Sequence, residues 1–336
     1  SSRSPLAIAL ALVLPLGLAA CDRAASDAPT AGTAAATAAT AGEREAETAR
    51  LNAWFETQYE EQLQLSPLRL TFLGRKELYD QIDDVSDAGI QKQLDWMEAS
   101  VRTMEAEFDY DRLEPEAQLS WNLWKKQYES TRDGMPFLLD GYVFDQMNGM
   151  HSMAPTFMIN FHRVDEESDF VAYVARLEKL PTVFDALIER GGRASAAGIH
   201  APKFALDGVI DQSRKVIAGA PFDGGADSAL WADAQAKADA LAASGKITAE
   251  RATELKDAAR KALLEQVKPA YERVIAFAEA ELPQAPVNPA GVGSTHPDGA
   301  AYYAYQLKQH TSTDMTADQI HELGLSEVAR LRGELE

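Results

Sequence analysis

The chain has 336 residues, with 52 acidic against 32 basic side chains and a formal net charge of −20 at pH 7. An acidic surface repels phosphate backbones and anionic headgroups, so the charge argues against nucleic acid as a partner. One cysteine cannot build a disulfide framework or a cysteine-based metal site. The composition therefore favours an acidic surface that faces an aqueous compartment.

The first twenty residues have the pattern of a lipoprotein signal peptide. Arg3 precedes an apolar run over residues 6–16, which is too short to span a bilayer. Leu18-Ala19-Ala20-Cys21 then forms a lipobox, with small residues before the cut. We predict a signal peptide over 1–20 and Cys21 as the lipidated N-terminus, anchored in a membrane. The alternative is a short apolar segment with a chance cysteine.

Residues 21–48 are predicted to form a flexible linker. They are mostly small or polar and bury too little surface to offset the entropy of ordering. Such a tether would hold the folded part away from the membrane, in the bacterial cell envelope and facing the periplasm. Asp22 resembles the inner-membrane retention signal of some bacterial lipoproteins, and both membranes remain open as the anchoring site.

Residues 49–336 are predicted to form an all-α domain, because apolar side chains recur at helical spacing and no strand pattern persists. One expected inward stripe carries Leu119 and Leu123. Pro181 is predicted to open a new helix, and Gly191-Gly192 to end it. Pro269 is expected to kink or break a long helix. Residues 282–300 are predicted to be an ordered loop.

The last segment is predicted to be a helix. Thr316 and Gln319 match a capping box, and Ile320, Leu323, Val328 and Leu331 follow at helical spacing. No C-cap signal precedes Glu336, which predicts that the helical domain is truncated there and that the protein continues.

No catalytic or metal-binding residue is predicted in this chain. His321-Glu322 matches the start of the zinc motif HExxH, but Leu325 stands where the second histidine belongs. His321 and Leu325 share a helix face, which we expect to be packed rather than metallated. The six histidines lack ligand spacing, so no cofactor is predicted for this chain alone.

Four stretches resemble the bacterial domain of unknown function 885 family, whose members are often envelope lipoproteins. They are residues 66–74, 198–202, 296–299 and 310–330, and the likeness covers the chain from about residue 49 to its end. The resemblance implies a multi-helix array similar to the N-terminal part of helical zinc carboxypeptidases and oligopeptidases.

In such relatives an HExxH helix supplies two zinc ligands and a general base. Family members are roughly twice as long as this chain, and that motif lies in their second half. The resemblance thus implies zinc for the intact protein, while this chain forms one wall of a substrate cleft. Tyr302, Tyr303, His310 and His321 are the candidate cleft-lining residues.

Two hypotheses follow. The chain is the N-terminal part of a lipid-anchored zinc peptidase that acts on short peptides, and it is inactive alone. Alternatively, it is a complete, non-catalytic helical lipoprotein that binds a peptide or protein partner. The gene sequence beyond the codon for Glu336 distinguishes the two hypotheses.

Overall fold

The computed structural model describes residues 39–336, and these residues fold into consecutive helices. The helices are α1 (Ala41–Leu63), α2 (Pro67–Phe72), α3 (Asp87–Glu107), α4 (Pro115–Gly134), α5 (Met150–Asn160), α6 (Glu167–Ala196), α7 (Lys203–Val216), α8 (Ala229–Ala243), α9 (Ala249–Ala262), α10 (Lys268–Glu281), α11 (Val292–Thr295), α12 (Gly299–Thr311) and α13 (Ala317–Leu335). Over this part of the chain no strand forms, which confirms the all-α prediction. The predicted signal peptide and Cys21 lie outside the described residues.

Helix α1 begins inside the segment predicted as linker, so residues 41–48 are helical. Thr40 and Glu43 form a capping box, in which Glu43 Oε2 accepts from Thr40 N at 2.8 Å. Glu47 then accepts from the backbone N of Asp109 at 2.9 Å. The sequence pattern missed these two turns because residues 41–48 carry no large apolar side chain, and the first one in α1 is Leu51.

The described residues contain two apolar cores. The smaller core joins α1, α3 and α4 around Leu51, Met104 and Trp121. The larger core is formed by the helices from α5 to α10. Tyr173, Phe184 and several alanines are fully buried in it. Small residues let the helices approach closely, so this part forms a dense array. No helix among the described residues has the length and apolarity needed to cross a membrane.

A buried arginine ties α2 to the larger core. Arg176 of α6 is 1% exposed, and no described carboxylate forms an ion pair with it. Its guanidinium donates to the carbonyls of Gln81 and Pro67, at 2.8 and 3.3 Å, and to Thr71 Oγ1 at 2.8 Å. It also donates to His162 Nδ1 at 3.0 Å. Burial lowers the pKa of Arg176 to about 10.

His162 is held neutral by this arrangement. Its Nδ1 accepts from Arg176, so the proton lies on Nε2, which donates to the Asp169 carbonyl at 2.9 Å. The ring stacks on Tyr79 at 4.1 Å. A second proton would point at the guanidinium from an apolar surrounding, and burial lowers the pKa of His162 to about 3.

Helix α6 is continuous through Pro181, contrary to the predicted helix start there. The buried residues Leu177, Leu180, Val183 and Phe184 lie on both sides of the proline and hold the helix together. Tertiary packing here outweighs the loss of one backbone hydrogen bond. The helix also continues through Gly191-Gly192, which was predicted to end it.

Pro269 interrupts the regular α-helix in a specific way. Residues Leu263–Val267 form a π-turn, and α10 follows at Lys268 with no loop between them, so that Pro269 is the second residue of α10. A π-turn adds one residue to the helix and frees the proline ring from the preceding carbonyl. The predicted break at Pro269 is therefore a change of helical phase.

Three further segments differ from their predictions. Leu119 and Leu123 of α4 are 59% and 56% exposed, while Ala117 and Trp121 face the core. Helix α13 begins at the predicted Thr316–Gln319 capping box, which is confirmed, but none of its residues is buried. Its face with His321 and Leu325 was expected to be packed, and it is exposed. The predicted loop 282–300 contains α11 and the start of α12.

The two adjacent glycines of α6 differ in their surroundings and provide a test of the packing. A Cβ on Gly191 would lie 2.6 Å from Phe277 Cζ and 2.8 Å from Val143 Cγ2, whereas a Cβ on Gly192 would meet nothing within 4 Å. We expect Gly191→Ala to be less stable than Gly192→Ala by about 1–3 kcal/mol, since both gain helix propensity and one is overpacked. Urea unfolding measures the difference, and equal stabilities would contradict this packing.

The neutral state of His162 predicts a pH dependence of stability. The charged and titratable side chains that face it are Arg176, Lys237, Asp169, Tyr79 and Tyr173. The unfolded state binds a proton near pH 6.5 and the folded state only near pH 3. Stability therefore falls as pH decreases through this window, by about 1.4 kcal/mol per pH unit for one such histidine.

Denaturant unfolding between pH 7 and pH 4.5 checks this expectation. His162→Gln should flatten the pH slope whatever its effect at pH 7. His310→Gln, at an exposed position, should leave the slope unchanged. An unchanged slope in His162→Gln would mean that His162 titrates normally in the folded protein.

Candidate functional site

The candidate site lies around α12, whose position depends on a buried histidine just before it. His296 Nδ1 lies 3.3 Å from Asp140 Oδ1, and its Nε2 lies 3.3 Å from the Tyr142 hydroxyl. The His296 and Asp140 side chains are 1% and 8% exposed. Because an ionised carboxylate only accepts, this pattern assigns a proton to Nδ1 and lets Nε2 accept from Tyr142. Burial raises the pKa of Tyr142, which keeps it a donor.

An aromatic stack continues from His296 along one side of α12. The His296 and Tyr302 rings are nearly parallel, with centroids 5.8 Å apart. Phe137 contacts Tyr302 and stacks on Tyr305 at 5.2 Å. The Tyr305 hydroxyl donates to the Ser130 carbonyl of α4 at 3.2 Å. These contacts fix α12 against the C-terminal end of α4.

A groove of about 500 Å³ lies between α12 and the start of α13. Its lining includes Tyr303, Tyr305, Leu307, Lys308, Asp314 and Met315. Lys308 and Asp314 form an exposed ion pair at 2.8 Å, which raises the pKa of the lysine and lowers that of the carboxyl. The lining thus combines aromatic and aliphatic surface with one pair of opposite charges.

The structure places the four predicted cleft residues in different surroundings. Tyr303 lines the groove and is 44% exposed. Tyr302 does not line the groove and instead packs against His296. His310 and His321 are exposed and do not line the groove. The four residues are therefore not brought together, and a cleft-lining role for each of them stays a prediction.

The sequence pattern missed Asp140 and Tyr142. They lie 156 and 154 residues before His296, so no local spacing relates them to it. The only signal in the sequence was the His296–Gly299 stretch itself.

A second histidine–carboxylate pair lies nearby. His200 Nδ1 is 3.1 Å from Glu281 Oε2, and both side chains are largely buried. Glu281 also lines a small cavity of about 30 Å³ together with Tyr142, Ile199 and Ala201. The stretch 198–202 and the His296 cluster, which are far apart in sequence, thus meet at one cavity.

The residues of this site do not fit a zinc ion. Among residues 39–336 no three His, Cys, Asp or Glu side chains converge in a way that could hold a metal. His296 uses both ring nitrogens in protein hydrogen bonds. What the site offers is a fixed aromatic wall and an open groove.

The fold and groove define a helical array with an open face at its last two helices. The chain belongs to the family described as bacterial protein of unknown function (DUF885), which matches residues 67–336. The predicted family is therefore confirmed. No curated protein is significantly similar in sequence.

One similar solved structure is that of a candidate lipoprotein from Colwellia psychrerythraea. It shares 19% sequence identity with a TM-score of 0.68, over 85% of this chain and 50% of that chain. The likeness supports the fold, and this chain spans about half the length of the protein it matches.

The His296 cluster predicts how firmly α11 and α12 are held. His296→Ala removes two hydrogen bonds and a stacked ring, so we expect a local loss of about 1–3 kcal/mol. Amide hydrogen exchange in residues 292–311 should become faster, with α6–α10 unchanged. His310→Ala, at an exposed histidine within α12 itself, is the control. Equal exchange in both variants would show that the cluster does not hold α12.

Proposed function

We propose that this chain is the N-terminal part of a lipid-anchored envelope protein that hydrolyses short peptides with the help of zinc. Membership of the family and the likeness to a candidate lipoprotein support the envelope location. The lipobox that ends at Cys21 supports a lipid anchor in the inner or the outer membrane, with the folded part facing the periplasm.

The observation that carries the proposal is the open groove between α12 and α13. It lies at the end of a chain that covers only half of the similar structure. A peptide in this groove would contact Tyr303 and the Lys308–Asp314 pair. We infer that further polypeptide covers the open groove and holds the zinc, because the described residues 39–336 do not fit the metal.

The chain's own residues would bind and orient the substrate. Tyr303 offers an aromatic surface with a hydroxyl, which suits an apolar or aromatic side chain of a peptide. Lys308 and Asp314 are charged groups that could pair with the ends or charged side chains of a peptide. The net charge of −20 disfavours nucleic acid in the same groove.

Two purified proteins test the proposal: this 336-residue chain and the gene-extended protein. We expect about one zinc per chain and chelator-sensitive cleavage of short peptides only in the extended form, because the metal ligands lie beyond this chain. Metal analysis and a peptide-cleavage assay measure both properties. Tyr303→Ala in the extended form should raise KM, while Leu325→Ala, outside the groove, should not.

The absence of metal and of cleavage in both proteins would overturn the peptidase proposal. The non-catalytic helical lipoprotein would then be the better account. Cleavage by the 336-residue chain alone would also contradict the proposal, because it would place the catalytic groups within this chain.

A further inference from the structure

Helix α13 presents an apolar stripe to solvent. Ile320, Leu323, Val328, Leu331 and Leu335 fall within one face about 140° wide at 100° per residue. Four of these side chains are between 48% and 88% exposed, and no residue of α13 is buried by the described part of the chain. An amphipathic helix of this kind is typically stabilised by packing of its apolar face.

Helix α4 presents a second apolar surface that continues an existing interface. Leu119 and Leu123 lie on the same side of α4 as Ser130 and Gly134, at helical spacing. The Tyr305 side chain of α12 rests on Ser130 and Gly134. Helix α12 therefore covers the C-terminal end of this α4 face and leaves the end with the two leucines uncovered.

Helix α12 adjoins both apolar surfaces. Its Tyr305 side chain rests on α4, and α13 follows it along the chain after the short turn at residues 312–316. The apolar stripe of α13 and the exposed leucines of α4 are together called the α4–α13 surface.

The length of the similar structure indicates what covers this surface. The chain matches 50% of the Colwellia protein with a TM-score of 0.68, so that protein contains about as much polypeptide again outside the shared fold. A helical array grows by adding helices to exposed apolar faces. A cluster of exposed large apolar side chains is typical of a surface that packs against further protein.

We propose that the α4–α13 surface packs against further polypeptide of this protein, which corresponds to the half of the Colwellia protein that lies outside the match. This inference rests on the proposed function in one respect, namely that the chain is the N-terminal part of a longer protein. It does not depend on zinc or on peptide cleavage. It assigns to α13 the role of the first helix at the junction of the two halves.

Amide hydrogen exchange tests this proposal in the 336-residue chain and in the gene-extended protein. Amides of α13 should exchange at least about tenfold more slowly in the extended protein, because packing suppresses local opening. Leu331→Glu in the extended protein should restore the fast exchange, since it places a charge on the stripe. Leu325→Glu is the matched control, because Leu325 is 53% exposed on the same helix but lies off the stripe.

A second pair of substitutions keeps the test independent of α13 itself. Leu123→Glu on α4 should also speed exchange of α13 in the extended protein, although the two residues are on different helices. Leu73→Glu, an exposed leucine just after α2, should not. Equal exchange of α13 in the short and extended proteins would overturn the proposal.

Other occupants of the surface give distinct results. A dimer of the 336-residue chain that Leu331→Glu dissociates and Leu325→Glu does not would assign the surface to a second copy. Slow exchange of α13 only with phosphatidylethanolamine–phosphatidylglycerol vesicles would assign it to lipid. A reading frame that stops at Glu336 would also overturn the proposal.

The outcome is separable from that of the proposed function. Protection of α13 without zinc or cleavage would support the packing surface and reject the peptidase. Zinc and cleavage with an unprotected α13 would support the peptidase and reject the packing surface.

Discussion

The buried guanidinium of Arg176 is the interaction on which the arrangement of this protein most depends. It joins the short α2 and the segment around Gln81 to the central helix α6. The guanidinium N–H groups donate to neutral acceptors. The buried charge is therefore stabilised by hydrogen bonds to neutral groups rather than by a carboxylate. Helices α1 and α3 flank these two segments along the chain, and α4 in turn provides the support for α12.

A second polar anchor, His296 with Asp140 and Tyr142, sets the position of the candidate groove. In both anchors a buried basic side chain, Arg176 or His296, forms hydrogen bonds that join segments far apart in sequence. They differ in surroundings, because Arg176 lies inside the helical array and His296 at its margin. The groove therefore lies at the edge of the array, and the described residues bury no residue of its outer helix α13.

The fold class and the capping of α13 could be predicted from the sequence because they depend on local spacing and on one capping box. The continuity of α6 through Pro181 could not, since it results from packing on both sides of the proline. The exposure of Leu119 and Leu123 was also missed, because helical periodicity gives the phase of an apolar stripe but not what covers it. The Asp140–His296 contact joins residues too distant in sequence for any spacing argument.

The π-turn before Pro269 determines which side chains of α10 face the core. In an uninterrupted α-helix the buried positions of α9, such as Leu255 and Ala259, would continue one residue earlier than they do. The inserted residue rotates everything that follows by about 100°, and this rotation turns Tyr271, Val274 and Ala278 inward. The π-turn before the proline thus sets the rotation of α10 relative to α9. With this rotation the Tyr271 hydroxyl donates to the carbonyl of His151.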